Sequence, residues 1–311
     1  MTPELEAGAA ALGARAQLAH PLGALSTYRV GGPAAVFVEA GDEEDLIAVR
    51  EALSGRDVAL LVLGKGSNLL VADAGFEGVV VHLSGGFAWF DHLGEVDGTE
   101  RVRAGAALEL PVLARRCVAL GLRGMEWAVG VPGSVGGAVR MNAGGHGSDT
   151  AASLVTYRWL DLASGREGID GVEHLGYGYR RSSVAQSEVV SWAEFALGRG
   201  DEAAGREELR SIVRWRREHQ PGGSNAGSVF TNPPGDSAGR LIDEAGLRGY
   251  RLGTAQVSEK HANFIQADDG GSADDVDRLM DQVRSVVAER TGVELVAEVR
   301  RIGFTRTGEP R

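Results

Sequence analysis

The 311-residue chain has one cysteine, Cys117, and two lysines, Lys65 and Lys260. A single thiol excludes an internal disulfide and gives no sign of an oxidising compartment. Cys117 shares an apolar helical face with Leu113 and Leu120, so a buried thiol is expected, not a reactive one. Seven histidines (His20, His82, His92, His146, His174, His219, His261) fall at no metal-ligand spacing, and no metal site is expected. No run reaches the roughly 18 apolar residues of a membrane helix. The opening MTPELEAGAAALGARAQ carries early acids and no cationic start, so it does not read as a signal peptide. A soluble cytoplasmic protein is the expectation. No apolar seam asks for a dimer, so a monomer is expected, and no internal repeat is evident. The net charge of -11 leaves no basic face for nucleic acid. An anionic ligand remains open if arginines gather in one cleft.

What the chain has in plenty is glycine in clusters. Gly130 to Gly147 reads GVPGSVGGAVRMNAGGHG, a loop-rich stretch with seven glycines. Glycine loses more backbone entropy on folding than any other residue, so such density suits sharp turns or bare N–H groups against a flat ligand. A pair of structural turns is the bland alternative. A second stretch, Leu63-Gly64-Lys65-Gly66-Ser67-Asn68-Leu69-Leu70-Val71, follows a strand-like run and shifts the balance toward one extended ligand touched twice. It is not a dinucleotide fingerprint, because Leu69 stands where the third glycine belongs, and it lacks the Walker spacing. Lys65 itself reads as a solvated loop lysine.

The length allows two or three domains. A run at Ala35–Ala40, a helix capped by Asp42 and stopped near Gly55, and strands at Val58–Leu63 and Val79–Leu83 make a β-α-β-loop-β unit. Residues 84–100 read as a hairpin or joint, Arg101–Gly105 as a strand and Leu108–Leu120 as a helix. Short strands at Leu154–Leu160 and Val189–Leu197 follow. A charged helix at 201–218 with Leu209, Ile212 and Val213 inward marks a domain boundary. Its Arg214, Arg216 and Arg217 read first as a solvated face. Beyond it come a turn-rich loop at 224–233 and a helix near Ala238–Ala245. The cleanest helix is capped by Ser272, carries a Val276, Leu279, Met280, Val283 and Val287 stripe, and stops at Gly292. Glu294–Gly303 reads as a closing strand, with Glu298 alternating among apolar neighbours.

Six motifs in order, TYRVGGPA (27–34), LGKGSNLLV (63–71), GVPGSVGGAV with MNAG (130–144), YRRS (179–182), NAGSVFTNP (225–233) and the pair VSEKHANFI (257–265) and AEVRRIG (297–303), resemble the UDP-N-acetylenolpyruvoylglucosamine reductase (MurB) family. The layout resembles its second, shorter type. The resemblance implies an α+β fold: a two-subdomain FAD-binding region like that of vanillyl-alcohol oxidase, then a C-terminal α+β substrate-binding domain. We place these at 1–84, 85–200 and 201–296, with a terminal strand and tail at 297–311. It implies non-covalent FAD touched by Arg29, Gly31, Gly64, Lys65, Gly66, Ser67 and Asn68, and further along by Gly130, Pro132, Gly133, Ser134, Gly136, Gly137 and Asn142.

The implied reaction takes hydride from NADPH through the flavin to the enolpyruvyl methylene of UDP-GlcNAc-enolpyruvate, in peptidoglycan precursor synthesis. The charge that builds on the adjacent carbon needs a cation for the carboxylate, a polar group for the enolate and a proton donor. Arg180, Glu298 and Ser228 match the family's arginine, glutamate and proton-donating serine. Arg181 is the neighbour from which register alone separates Arg180. Glu298 either polarises the enolate as a neutral acid or holds Arg180, and both stay open. Substrate contacts are assigned to Tyr179, Arg214, Arg217, Gln220 and Asn232. Lys65, Arg140 and Thr231 depart from the family pattern. Two competing readings are an oxidase of small alcohols, with His146 as the only candidate for covalent flavin, and a binding module without catalysis.

Overall fold

The computed structural model describes residues 1–304, which form two compact units. The first comprises Met1–Gln17, Val36–Lys65 and Gly78–Arg216; the second comprises Leu18–Ala35, Gly66–Glu77 and Arg217 onward. The chain therefore passes between units five times, once inside the loop at 64–68.

In the first unit, alternating apolar residues build an antiparallel sheet in the order Glu167–Gly171, Leu154–Asp161, Glu188–Arg199, Thr99–Gly105 and Phe90–Val96. Leu122–Arg123 pairs with the far end of Glu188–Arg199. The hairpin expected within 84–100 is the Phe90–Val96 to Thr99–Gly105 turn, with left-handed Asp97 and Gly98 at its tip. The helix Leu110–Ala119 starts with proline in its first turn and lays Leu110, Leu113, Ala114, Cys117 and Val118 on the core. Burial pushes the Cys117 thiol up to about 12, which suits an inert core residue. The helix Glu43–Leu53 begins as expected, with Asp42 accepting the Asp45 N–H. Leu60–Leu63 runs parallel to Val79–His82.

Four details differ from the sequence reading. The stretch 130–147 is not plain loop. Ser134 caps a two-turn helix, Val135–Met141, that left-handed Asn142 ends. Its Gly136 is there for packing: a Cβ would lie 2.9 Å from Ala106 Cβ. Glycine hid this helix because its propensity is about 1 kcal/mol below alanine, and the tight contact overrides that. In the helix Glu202–His219, Leu209 and Ile212 are buried but Val213 is exposed. A helix turns 100° per residue, which carries Val213 off the stripe. Lys65 is not merely solvated; its Nζ pairs with Glu109 at 2.5 Å. The closing strand shortens to Arg300–Ile302.

The second unit packs around the helix Ala273–Thr291. Val276, Leu279, Met280, Val283 and Val287 are fully buried, about 1.5–3 kcal/mol apiece. Left-handed Gly292 ends it. Its start is held twice: Ser272 Oγ accepts the Asp275 N–H at 3.1 Å, and Asp73 accepts from Ser272 Oγ and from the Ala273 and Asp274 N–H groups. Asp73 follows the strand Leu69–Val71, which pairs in parallel with Arg300–Ile302. A small sheet of Arg251–Leu252, Ala255–Val257 and Ile265–Ala267 and the helix Ala238–Glu244 complete the unit. The expected strand is short because residues 296–298 pair with the irregular loop at 229–231, through Thr231 N to Val296 O and Glu298 N to Val229 O. Among the described residues no helix is long and apolar enough to cross a membrane.

Ser272→Ala removes the cap and one of the hydrogen bonds to Asp73. It should destabilise the protein by about 1–2 kcal/mol, read as a lower urea midpoint; an unchanged midpoint would show that the Asp73 contacts suffice alone.

Candidate functional site

Candidate residues fall in both units. In the first, Gly178 and Arg181 exchange backbone hydrogen bonds, 3.0 and 3.2 Å long. Tyr179 and Arg180 occupy the tip of that tight turn. Arg180 has φ 53°, a left-handed conformation that favours glycine. A non-glycine residue there costs about 1–3 kcal/mol and persists where its surroundings over-determine it. Here the surroundings are two backbone carbonyls and an aromatic ring. Nη1 donates to the Asn142 carbonyl at 3.3 Å and Nη2 to the Gly144 carbonyl at 2.7 Å. The guanidinium also stands 5.1 Å from the Tyr179 ring centre, in cation–π range.

Arg180, Tyr179 and Asn142 thus line one cavity of about 430 Å³, along with Gly144, Ser148 and Asp149. Arg181 does not line it; its guanidinium lies against Gly178. Asn142 is buried and fixed, donating to Asp149 at 3.2 Å and to the Gly178 carbonyl at 3.3 Å, and accepting the Ala151 N–H at 3.0 Å. Asp149 is an acid the sequence reading did not single out. Its only signal was its place at the end of the glycine stretch.

The same unit joins the two glycine stretches. A Cβ on Gly64 would lie 2.6 Å from Ser134 Oγ. Ser134 Oγ accepts the Gly137 N–H at 3.4 Å, and the Gly133 carbonyl accepts the Leu110 N–H at 2.9 Å. Glu109, the partner of Lys65, also bridges Ser134 through the backbone. Gly64, Lys65, Gly133, Ser134 and Gly137 are therefore brought together. Gly130 is turned elsewhere, toward Ile212 and His146, and Pro132, two residues on, is exposed. His146 meets Trp215 edge-on at 5.1 Å, and burial and the nearby Arg216 charge lower its pKa.

In the second unit, Thr27 N donates to the Gly66 carbonyl at 3.2 Å, so the turn bearing Arg29 and Gly31 meets the loop of Gly66, Ser67 and Asn68. Arg29 is exposed and left-handed at φ 56°. Asn68 reaches 230 residues along the chain, its Nδ2 donating to the Glu298 carbonyl at 3.1 Å. Glu298 N donates to the Val229 carbonyl at 2.8 Å, one residue past Ser228. The segment of Glu298 is thus bonded both to that of Asn68 and to that of Ser228. Asn232 is engaged structurally: its Oδ1 accepts the Ala238 N–H at 3.0 Å at a helix start. Arg214 and Arg217 stand three residues apart on one exposed helical face, and Gln220 follows at the helix end, half-buried. The Arg217 carbonyl accepts Lys260 Nζ at 2.5 Å.

A family model described as UDP-N-acetylenolpyruvoylglucosamine reductase, C-terminal domain, matches residues 219–302, and one described as FAD binding domain matches residues 34–167. The UDP-N-acetylenolpyruvoylglucosamine reductase 2 of Symbiobacterium thermophilum is 43% identical over 92% of each chain. The UDP-N-acetylenolpyruvoylglucosamine reductase of Heliobacterium modesticaldum is 43% identical over 91% of this chain and 90% of its own. A crystal structure of UDP-N-acetylenolpyruvylglucosamine reductase from Thermus caldophilus is similar with TM-score 0.79 and 34% identity, covering 93% of this chain and 99% of that one.

Two outcomes test this geometry. Gly64→Ala should lower the melting temperature through about 1–3 kcal/mol of overpacking, and Ser134→Gly in the same chain should recover part of it. A Gly64→Ala protein that melts like wild type removes the close contact. The His146 imidazole should titrate below 6.5 by NMR, and Arg216→Gln should move it upward. Since the folded value lies below the unfolded one, the His146 contribution is complete above the unfolded pKa. It is lost as pH falls through the folded value.

Proposed function

Because the chain belongs to the UDP-N-acetylenolpyruvoylglucosamine reductase family, we propose that it reduces UDP-N-acetylglucosamine enolpyruvate to UDP-N-acetylmuramate, with FAD bound non-covalently and NADPH as reductant. That places it in cytoplasmic peptidoglycan precursor synthesis. The reading is carried by a likeness that runs through both units of a chain in which Arg180, Ser228 and Glu298 are all present. In this reading 1–84 and 85–200 form the flavin region, 201–296 the substrate region and 297–311 the closing strand and tail.

The residues present fit a flavin dinucleotide. Thr27 Oγ1 is buried with no hydrogen-bond partner among the described residues, where the Arg29 turn meets the Gly66 loop. A buried hydroxyl is rarely left unsatisfied, and a bound phosphate oxygen is a natural acceptor for it. Arg29, Gly31 and residues 64–68 would hold the diphosphate, and Gly130, Pro132, Gly133, Ser134, Gly136, Gly137 and Asn142 would flank the rest. Bound FAD supplies the hydride, replenished by NADPH, that reaches the enolpyruvyl methylene.

The chain's own residues do the rest. Arg180 grips the substrate carboxylate through two parallel N–H···O bonds, and its ties to the Asn142 and Gly144 carbonyls keep the fork oriented. Tyr179 lines the same cavity. The Ser228 hydroxyl delivers a proton to the carbon that bears the ether oxygen, so one hydride and one proton saturate the double bond. Glu298 stabilises the enolate, its backbone fixed by Asn68 and Val229. Arg214, Arg217, Gln220 and Asn232 contact the UDP-sugar.

The test is an anaerobic visible spectrum. NADPH should bleach the flavin and UDP-GlcNAc-enolpyruvate should restore it. Restoration by oxygen alone would leave a flavoprotein with another substrate. Ser228→Ala should keep the bleaching step and slow the restoration about 10²–10⁴-fold; equal slowing of both steps would remove the proton-donor role.

A further inference from the structure

The stretch VSEKHANFI (257–265) turns between two strands, where Val257 pairs with Ile265. Its loop is bonded from within. Ser258 is buried; its N–H donates to the Phe264 carbonyl at 2.8 Å, and its Oγ accepts the Lys260 and His261 N–H groups at 3.1 and 3.4 Å. His261 Nδ1 accepts the Asn263 N–H at 3.2 Å. These bonds leave the Asn263 carbonyl and side chain for another segment. Asn263 is 3% exposed and turns to residues 229 and 230. Its carbonyl accepts the Val229 N–H at 2.9 Å, its Oδ1 accepts the Phe230 N–H at 3.0 Å, and its Nδ2 donates to the Phe230 carbonyl at 2.8 Å. The side-chain amide therefore pairs with both backbone groups of Phe230, as a neighbouring strand would.

What this clamp holds is the residue just ahead of it. Ser228 follows left-handed Gly227, and among the described residues its hydroxyl makes no hydrogen bond. The placement of that hydroxyl therefore rests on the backbone. The loop is anchored before Ser228 where the Ala267 N–H donates to the Ser224 carbonyl at 3.0 Å. After Ser228 it is anchored on two edges. Residues 296–298 bond one edge, through Val229 and Thr231, and Asn263 closes the other, at Phe230. A reacting group misplaced by about 1 Å loses on the order of 10²-fold in rate. We propose that Asn263 is a positioning residue for the protonation step: its amide sets the reach of the Ser228 hydroxyl. The inference rests on the proposed function, which gives Ser228 its proton-donor role.

The experiment uses the full flavin-loaded chain and follows the two anaerobic steps separately, as rates per bound flavin. Asn263→Asp keeps the size and the acceptor for the Phe230 N–H but loses the donor to the Phe230 carbonyl. It should restore the flavin about 10- to 100-fold more slowly on addition of UDP-GlcNAc-enolpyruvate, while bleaching by NADPH keeps the wild-type rate. In D2O the slowed restoration should show a larger isotope effect than in wild type, because proton delivery then limits it. A loss of stability alone would lower the amount of loaded protein and not the rate per flavin. Asn263→Asp combined with Ser228→Ala should be no slower than Ser228→Ala alone, since Asn263 acts through Ser228. Asn263→Ala, which adds no charge, should slow the same step. Wild-type rates in both single variants, equal slowing of the two steps, or further slowing in the double variant each overturns the inference. So does a failure of both Asn263 variants to load flavin, the signature of an asparagine kept for the fold. A wild-type flavin that NADPH bleaches and UDP-GlcNAc-enolpyruvate does not restore overturns the functional reading itself, and this inference with it.

Discussion

The parallel pairing of Leu69–Val71 with Arg300–Ile302 is the contact on which the second unit's part of the site depends. It joins segments about 230 residues apart, yet loop-closure entropy grows only with the logarithm of length. Once closed, it sets several groups at once. It places Asn68 so that its amide reaches the Glu298 carbonyl, and it lets residues 296–298 pair with 229–231 beside Ser228. It also brings Asp73 to the start of the long C-terminal helix, whose buried stripe holds the strand pair down. Removing any one hydrogen bond here is a loss of about 1 kcal/mol. Their value lies in sharing one register.

The first unit solves a different problem. Arg180 must be rigid without a rigid element beneath it, since it sits on a turn and not on a strand or helix. Two backbone carbonyls and an aromatic neighbour do that work against an unfavourable φ. The carbonyls belong to Asn142 and Gly144, so the glycine stretch that lies along the expected cofactor also orients the arginine. This is preorganisation by backbone dipoles.

Much of this was legible in the sequence. Ser272, Asp275 and the Val276–Val287 stripe announce the long helix, and Asp42 announces the earlier one, because caps and 3.6-residue periodicity are local. The motif order pointed to the family and to an α+β flavin architecture, and the family models and relatives agree. What stayed hidden was set by distant packing. Nothing local predicts a helix through Gly136 and Gly137, the first of which packs on Ala106. Nothing local makes Arg180 left-handed, or shows that Val213 faces water. Nor does RR in AEVRRIG say that the second arginine meets two aspartates while the first, among the described residues, meets none. That asymmetry appears only when the strand's partner is known.

The second unit is assembled from three separate stretches of the described chain: 18–35, 66–77 and 217–304. During synthesis the first two emerge long before their partner. The backbone edge of Leu69–Val71 must wait, unpaired and apolar, until residues 300–302 have been made, and an open edge of that kind is an invitation to mispairing. The region matched by the C-terminal domain model is thus not a portable piece. Cut out at 219–302, it would lack the strand beside Arg300–Ile302 and the aspartate that caps its main helix. Recombination that moves this C-terminal region between relatives must carry the Gly66–Glu77 segment with it.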